Sequence, residues 1–280
     1  YRFATIYAGD NTRDDYRSPI AQPGLNVKPG DYLLAVNGTE LRAPTDPDSL
    51  LQLTDAGTTV DLTVASSADG GRRHVVVKPV DKELPLREAA WIGHNRALVD
   101  KLSGGRVGYV YMSDMEQLGI QQFVRQYYAQ LGKQALVIDD RWNGGGFIAP
   151  FALERLRRVL VTLDVNRQGG VTTEPESVMH GPMVALINHW SSSDGDIFPD
   201  LFKRYGLGPL VGTRTWGGVR GIRGYWPMMD GGYVTIPEES IYGLDSRWAV
   251  ENHGVDPDVE IENQPADVLA GHDAQLETAV

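Results

Sequence analysis

The sequence predicts a fold of the α/β class (α+β over the whole chain), in which a β-rich domain precedes a core of alternating strands and helices. Three observations predict it. Residues 1–80 carry short β-type runs separated by turns. After the glycine pair at residues 104–105, apolar runs of strand length alternate with stretches of helical periodicity. That alternation is typical of a largely parallel sheet whose helices connect successive strands.

The first domain is expected to contain four strands and one short helix. The predicted strands are residues 1–8, 32–38, 59–64 and 74–77. The helix is expected near residues 48–55. Residues 82–86 hold a proline and two charged residues, a composition that suits a linker. We therefore expect two domains, at residues 1–84 and 85–280.

The second domain is expected to begin with a helix over residues 87–102 and to continue as a layered α/β core. The predicted strands are residues 107–112, 135–139 and 184–188, and the further helices are residues 115–131, 148–160 and 195–205. One helix carries an apolar stripe at three- and four-residue spacing, which predicts that it covers a sheet face. The stripe consists of Ile120, Phe123, Val124, Tyr127, Tyr128 and Leu131. The polar tail after Asn263 is expected to wrap around the core or fray.

Composition narrows the classes of function. The 280 residues include 41% hydrophobic residues and carry a formal net charge of −11. Basic residues are scattered among acids, which argues against a nucleic-acid partner, since phosphate binding requires clustered Lys and Arg. No apolar run approaches the roughly 18 residues of a membrane span, so no membrane partner is expected. The absence of cysteine excludes disulfides, thiolate metal sites and a cysteine nucleophile.

The sequence predicts neither a metal site nor a cofactor. The histidines are His74, His94, His180, His189, His253 and His272. They lie apart, and none forms a pair at the spacing of a zinc motif. His189 and His253 stay open as either a local general base or structural histidines beside turns.

The strongest chemical signal is a buried-type strand at residues 184–188 that runs into three serines and then a helix. In α/β enzymes this junction places a nucleophile at the carboxyl edge of the sheet. The first amides of the helix then face a developing oxyanion. The alternative is that the serines do nothing except cap the helix, because Ser is among the commonest capping residues.

A second signal is the strand at residues 135–139, which is followed by the glycine-rich run at residues 143–147. Such a loop can turn its amides toward an anion. It is not a phosphate loop or a dinucleotide fingerprint, because the required Gly-Lys-Ser/Thr and Gly-x-Gly-x-x-Gly patterns are missing. A tight turn between sheet and helix remains the alternative.

Residues 17–38 resemble the PDZ domains of bacterial proteases. The run from Leu25 through Lys28, Pro29 and Gly30 to Asn37 is the specific part of that likeness. The resemblance implies a PDZ-like peptide-binding module. In it, residues 18–21 would lie near a groove where a peptide adds as an extra strand.

The rest of the chain resembles the catalytic core of the tricorn core protease family, which is related to the carboxyl-terminal processing peptidases. The motifs that carry the resemblance are residues 143–147, 193–198, 212–218 and 250–260. The resemblance implies a crotonase-like (ClpP/crotonase) α/β core of a serine endopeptidase. It implies Ser193 as the nucleophile, Gly146 and Asp194 as the amides of an oxyanion hole, and Glu251 as the acid of the charge-relay network.

The same resemblance implies features of the whole assembly. An acidic residue late in the helix after the glycine-rich loop, here Asp164, would come from a neighbouring subunit and favour basic residues at the cleavage position. Relatives form closed homo-oligomeric rings, such as hexamers, that degrade unfolded proteins or oligopeptides. Placement in the cytoplasm is the matching expectation.

One departure concerns the general base. In the family, the catalytic histidine precedes the PDZ domain, and this sequence starts inside that domain. We therefore expect this stretch alone to be weakly active or inactive. Lys203, the only lysine after Ser193, lies one helix away and is not expected to replace the histidine.

Two rival interpretations follow from that departure. One is a catalytically inactive peptide-binding scaffold that retains both folds. The other is an acyl-CoA enzyme that shares the crotonase-like core, although such an enzyme has no reason to carry a PDZ module.

Overall fold

The computed structural model describes residues 1–52 and 57–280. The chain divides into two compact units, Tyr1–His94 and Asn95–Val280. This division falls inside a helix, α2 (Leu84–Ser103). The boundary near residue 85 stays a prediction, while the expected linker at residues 82–86 is in part the first turn of α2.

The first unit is built around a four-stranded antiparallel sheet. The strands of this sheet are β1 (Tyr32–Val36), β2 (Thr39–Glu40), β3 (Val60–Ala65) and β4 (Arg73–Val77). The unit also contains a 3₁₀ turn (Asp14–Tyr16) and the short helix α1 (Pro47–Leu51). The strand order is β2-β1-β3-β4. Alternate residues of β3 and β4 point into a core of Val and Leu side chains, as expected for a sheet with one buried face. Three of the four predicted strands are confirmed.

The predicted strand at residues 1–8 is wrong. Pairing in this region is limited to a bridge between Arg2 and Tyr32 and to backbone bonds such as Phe3 N to Asp31 O at 2.9 Å. Beyond Phe3 the described residues offer no extended partner, because Asp31 closes a turn by donating from N to Lys28 O at 3.0 Å. A strand needs a continuous partner, and here the partner turns away.

The predicted helix at residues 48–55 exists in part. The side chain of Asp46 accepts a hydrogen bond from Asp48 N at 3.0 Å and so caps α1. Pro47 occupies the first helical position, where a missing N–H costs nothing. Residues 53–55 of the prediction lie outside the described residues.

The second unit is an α/β core with two hairpins. Its strands are β5 (Val107–Tyr111), β6 (Ala135–Asp139), β7 (Thr162–Val165), β8 (Val171–Glu174), β9 (Met183–Ile187), β10 (Leu210–Gly212), β11 (Gly221–Pro227), β12 (Tyr233–Glu239) and β13 (Val259–Glu260). Its helices after α2 are α3 (Gln117–Ala129), α4 (Ala149–Leu156), α5 (Asp194–Arg204), α6 (Pro265–Leu269) and α7 (Ala274–Ala279).

The five-stranded sheet has the order β13-β10-β9-β6-β5, and each neighbouring pair is parallel. The predicted α/β core with a parallel sheet is therefore confirmed. Because parallel strands end at the same edge, the loops after β5, β6, β9 and β10 all emerge together. This carboxyl edge is where the sequence predicts chemistry.

Helices α3 and α5 cover the sheet with aromatic side chains. Phe123 and Tyr127 of α3 are fully buried, and their rings stack at 5.0 Å. Phe198 and Phe202 of α5 are buried in the same core. Two stripe residues, Val124 and Tyr128, are substantially exposed, so the buried face of α3 is narrower than predicted.

Segments away from the sheet follow the predictions only in part. The helix predicted over residues 148–160 ends at Leu156, and the chain continues into the antiparallel hairpin β7–β8. The tail after Asn263 does not fray: Asp273 caps α7 by accepting from Leu276 N at 3.0 Å, and Leu276 is fully buried. Within residues 1–52 and 57–280, no helix has both the length and the apolar character of a membrane span.

Candidate active site

Ser193 lies at the sharp junction between β9 and α5, at the carboxyl edge of the parallel sheet. Its backbone has φ 58° and ψ −118°. Gly195 N donates to Ser192 O at 2.8 Å, so residues 192–195 form a type II′ turn with Ser193 in its first central position. That position normally requires glycine. A serine held there carries a backbone strain of about 1–3 kcal/mol.

This geometry argues against a simple capping role for Ser193. The residue occupies the position before α5, yet its hydroxyl makes no capping hydrogen bond. The neighbouring Ser191 is different, because it is fully buried and donates from Oγ to Asp140 O at 2.8 Å. Strained, uncapped serines at strand–helix junctions are typical of nucleophile elbows.

The glycine-rich loop packs directly against the serine turn. A β-carbon at Gly145 would lie 2.6 Å from Ser193 Cβ and 2.7 Å from Ser192 O. At Gly146, whose φ is +144°, a β-carbon would overlap Met115 O. Both positions therefore require glycine, because neighbouring backbone leaves no room for a side chain. The two alternatives that the sequence left open, a tight turn and a loop that presents its amides, describe the same segment.

Two backbone amides at this junction, those of Gly146 and Asp194, donate no hydrogen bond to another group in the described part of the chain. The bridge between Met115 and Gly146 uses Gly145 O and the amide of Phe147, so it leaves the Gly146 N–H unused. Asp194 is the first residue of α5, where amides have no partner within the helix. Paired unused donors beside a serine can bind an oxyanion.

Asn143 joins the two loops, and the sequence analysis gave it no role. Its Oδ1 accepts from Gly145 N at 2.9 Å, and its Nδ2 donates to Met112 O at 3.1 Å. Its carbonyl oxygen accepts from Ser192 N at 2.9 Å. An asparagine directly before a glycine run was the available signal, since Asn side chains often bond to the backbone two residues later.

Two carboxylates of the 193–198 motif hold the neighbouring loops. Asp194 Oδ2 accepts from Ala149 N, at the start of α4, at 2.9 Å. Burial raises the pKa of Asp194 to about 6, although the amides of Ala149 and Ile148 partly oppose that shift. Asp196 Oδ1 accepts from Gly217 N at 2.7 Å, and burial raises its pKa as well. The serine turn is thus tied to the loops after β6 and β10.

A buried charge network lies beneath the glycine-rich loop. Arg141 is fully buried and donates to Asp139 from Nε at 2.8 Å and from Nη2 at 2.6 Å. Its Nη1 donates to Asp273, at the start of α7, at 2.9 Å. Burial would raise the pKa of Asp273, but the guanidinium holds it below its ordinary value. This network fixes the end of β6, from which the loop starts.

Asp140, beside that network, is fully buried. Within the described residues, no hydrogen bond of standard geometry reaches either of its carboxyl oxygens. Burial, followed by the charges of Asp139, Asp196 and Asp194, raises its pKa well above the ordinary range. Burial and the neighbouring carboxylates therefore both favour the neutral form of this side chain.

Glu251 lies one loop away from Ser193. Its Oε2 accepts from Val219 N at 2.8 Å and from Arg220 N at 3.0 Å. The next residue, Asn252, donates from N to Gly217 O at 2.7 Å, and Gly217 is bonded to Asp196. The structure thus connects Glu251 to the serine turn through that loop.

The remaining predicted residues lie elsewhere. Asp164 is on strand β7, opposite Thr172 of β8, and not late in a helix, because α4 ends eight residues earlier. His253 Nε2 is 2.7 Å from Asp256 Oδ2, and the ring of His189 lies 4.8 Å from that of Trp190.

No hydrogen bond joins either histidine to Ser193 within the described ranges. Lys203 pairs with Asp258 at 2.7 Å. The described residues bring no three potential metal ligands together.

Comparisons with known proteins match both units. The model of peptidase family S41 matches residues 106–261, and that of the tricorn protease PDZ domain matches residues 1–82. Tricorn protease homolog 1 of Streptomyces coelicolor is 41% identical over 280 residues, which is all of this chain and 26% of that protein. Tricorn protease of Thermoplasma acidophilum is 36% identical over 281 aligned positions and is likewise 26% covered.

A crystal structure of the tricorn protease superposes with a TM-score of 0.91 at 36% identity, covering 99% of this chain and 27% of that one. The chain thus spans about a quarter of the length of these relatives. The expected PDZ-like domain, α/β core and tricorn likeness are confirmed. With the S41 model matching more than half of its residues, the chain belongs to peptidase family S41.

Proposed function

We propose that this chain is the PDZ and core portion of a serine endopeptidase that cleaves unfolded proteins or oligopeptides. The PDZ-like module would occupy residues 1–84 and the core residues 85–280. The observation that carries the proposal is Ser193 in a glycine-type conformation beside two amides without acceptors.

In the proposed reaction, Ser193 Oγ attacks the carbonyl carbon of the scissile bond and its proton passes to a general base. The amides of Gly146 and Asp194 bind the resulting oxyanion. Collapse of the tetrahedral intermediate breaks the C–N bond, and the base returns the proton to the leaving amine. Water then hydrolyses the acyl-enzyme by the same route.

We propose that the base is a histidine outside these 280 residues. His253 is engaged by Asp256 and Lys203 by Asp258. Glu251 would act as the acid of the charge-relay network from the loop that contacts Gly217. Hydrogen bonds from Val219 N and Arg220 N hold its carboxylate in place, which supports this role.

Asp164 is proposed to favour basic residues at the cleavage position from a neighbouring copy within a homo-oligomeric ring. Its place on the exposed hairpin β7–β8 supports this, since an exposed strand can reach a second molecule. Location in the cytoplasm belongs to the same proposal.

The test maps a serine-reactive fluorophosphonate by mass spectrometry. It is run on this chain and on a chain extended at its amino end by the segment that precedes the match in the Streptomyces coelicolor relative. Labelling of Ser193 is expected in the extended chain and should be lost in Ser193→Ala. Ser192→Ala is the matched control and should still be labelled. Folded proteins that remain unlabelled in both forms would favour a peptide-binding scaffold.

A further inference from the structure

Two exposed tryptophans flank the serine turn. Trp142 follows β6 and is 45% exposed, and Trp190 follows β9 and is 62% exposed. Since β6 and β9 are neighbouring parallel strands, the two side chains belong to adjacent loops at one edge of the sheet. Trp142 directly precedes Asn143, whose carbonyl holds Ser192, and Trp190 lies three residues before Ser193.

One buried atom fixes both tryptophan backbones. Asn188 is 5% exposed, and its Oδ1 accepts from Trp142 N at 3.0 Å and from Trp190 N at 3.1 Å. An amide oxygen has two lone pairs, so one side chain can satisfy both donors. The two loops are therefore held at a fixed separation by a side chain inside the sheet edge.

Trp142 is also held in a strained conformation. Its φ is +59°, in the left-handed region that bulky residues rarely adopt. The fully buried Arg141 guanidinium lies 5.3 Å from the centre of the indole ring, while 45% of the residue remains in solvent. Backbone strain that surrounding bonds maintain is concentrated at ligand-binding and active sites.

We propose that Trp142 and Trp190, the tryptophan pair, form a subsite for one large apolar side chain of an extended peptide. The inference rests on the proposed function, because it places the peptide's scissile bond at Ser193. Rigid, half-exposed aromatic side chains supply large contact areas at little entropic cost, and tryptophan is enriched among the residues that dominate binding. Since the Asp164 carboxylate is proposed to act from a neighbouring copy, the substrate would combine an apolar residue with a basic one.

The experiment uses the six tryptophans of the chain as reporters. The Ser193→Ala chain is labelled with 5-fluorotryptophan, and each ¹⁹F resonance is assigned by Trp→Phe substitution. Two blocked Gly/Ser heptapeptides are titrated, one with a central Phe and one with Ala in its place. The Phe peptide is expected to shift the resonances of Trp142 and Trp190 and to leave that of Trp226, on the β11–β12 hairpin, unchanged. Shifts confined to other tryptophans, or no shift at millimolar peptide, would overturn the proposal.

Substitutions separate this inference from the proposed chemistry. Trp142→Ala and Trp190→Ala should each weaken binding of the Phe peptide at least tenfold, whereas Trp226→Ala is the matched control and should bind normally. Equal affinity in all three variants would contradict the proposal. Because Ser193→Ala cannot cleave, binding is scored independently of hydrolysis. Failure of fluorophosphonate labelling would contradict the proposed function without contradicting the subsite. Failure of peptide binding would contradict the subsite without contradicting the proposed function.

Discussion

At the carboxyl edge of the parallel sheet, charged side chains are buried and bonded to neighbouring loops, whereas the β11–β12 hairpin exposes large apolar side chains. Arg141 and Asp139 are fully buried at the first site. At the hairpin tip, Met229 is fully exposed, and Tyr225 and Tyr233 of the strands contact each other edge to face at 5.0 Å. The usual placement of polar and apolar groups is thus reversed at both sites. Such reversals typically mark function: buried polar networks position groups, and exposed apolar surfaces meet partners.

Substitutions at the sheet edge should lower stability more than substitutions in the hairpin. At the sheet edge, each loop is fixed by bonds to another loop, so a single change leaves several groups without partners. The hairpin has fewer such dependencies, since β11 and β12 pair only with each other in the described structure. Matched substitutions in the two regions should therefore differ by several kcal/mol.

The largest effect is expected for Asp139→Ala. Removing this carboxylate takes two hydrogen bonds and one charged partner from the buried Arg141 guanidinium, which keeps its ion pair with Asp273. The free energy of unfolding should fall by about 3–5 kcal/mol in urea titrations followed by circular dichroism. Asp230→Ala at the hairpin tip, where the carboxylate accepts from the neighbouring Gly232 N, should lower the free energy of unfolding by less than about 1 kcal/mol. Equal losses of unfolding free energy in the two variants would show that the buried charges at the sheet edge contribute no more to stability than an exposed carboxylate does.

A pair of glycines sharpens the contrast. Gly145 at the sheet edge has φ +84°, and Gly231 at the hairpin tip has φ +83°, so alanine meets the same backbone strain at both. Their surroundings differ, because a β-carbon at Gly145 would press on Ser193 and Ser192, while Gly231 has open space. Gly145→Ala should lower the free energy of unfolding by about 2–4 kcal/mol, and Gly231→Ala should lower it by about 1 kcal/mol. Similar midpoint shifts for both variants would mean that the loop adjusts freely.

Sequence reasoning found the parts of this edge that are local in the chain. Ser193 and the glycine-rich loop each follow a short apolar strand directly, so strand, turn and helix can be identified in a dozen residues. The contact between Arg141 and Asp273 spans 132 positions, and no local pattern encodes it. For the same reason the sequence left open whether the tail wraps around the core or frays, whereas in the structure Asp273 both caps α7 and binds this arginine.

Hairpins β7–β8 and β11–β12 escaped prediction for a different physical reason. Their apolar residues are exposed, so neither hairpin contains the continuous apolar run by which the core strands were recognised, although Thr162–Val165 does alternate polar and apolar residues. The family resemblance placed Asp164 late in a helix, whereas it lies on strand β7. The role of Asn188 was also out of reach, because one side chain bonding two separate loops becomes visible only in three dimensions.

A smaller effect is expected from the pH dependence of Asp194. Its pKa is raised from 3.8 to about 6, so between these values the folded state binds more protons than the unfolded state. Stability from this group is therefore present at low pH, is lost as pH rises toward 6, and is constant above that. Asp194→Asn keeps an oxygen for Ala149 N and removes the charge. As the pH rises from 4 to 7, the free energy of unfolding of the variant should increase by about 1–3 kcal/mol relative to that of the parent. A difference that does not change with pH would contradict this assignment.

The smallest effect tests the exposed side of the comparison. Leu163 lies on β7 next to Asp164 and is largely in solvent. Leu163→Ser therefore buries no new polar group and opens no cavity, so the free energy of unfolding should change by less than about 0.5 kcal/mol. The fully buried Leu276→Ala is the matched control and should cost about 2–5 kcal/mol. A loss above about 1 kcal/mol for Leu163→Ser at low protein concentration would mean that this face is covered within one molecule. Asp164 would then be less free to reach a neighbouring copy.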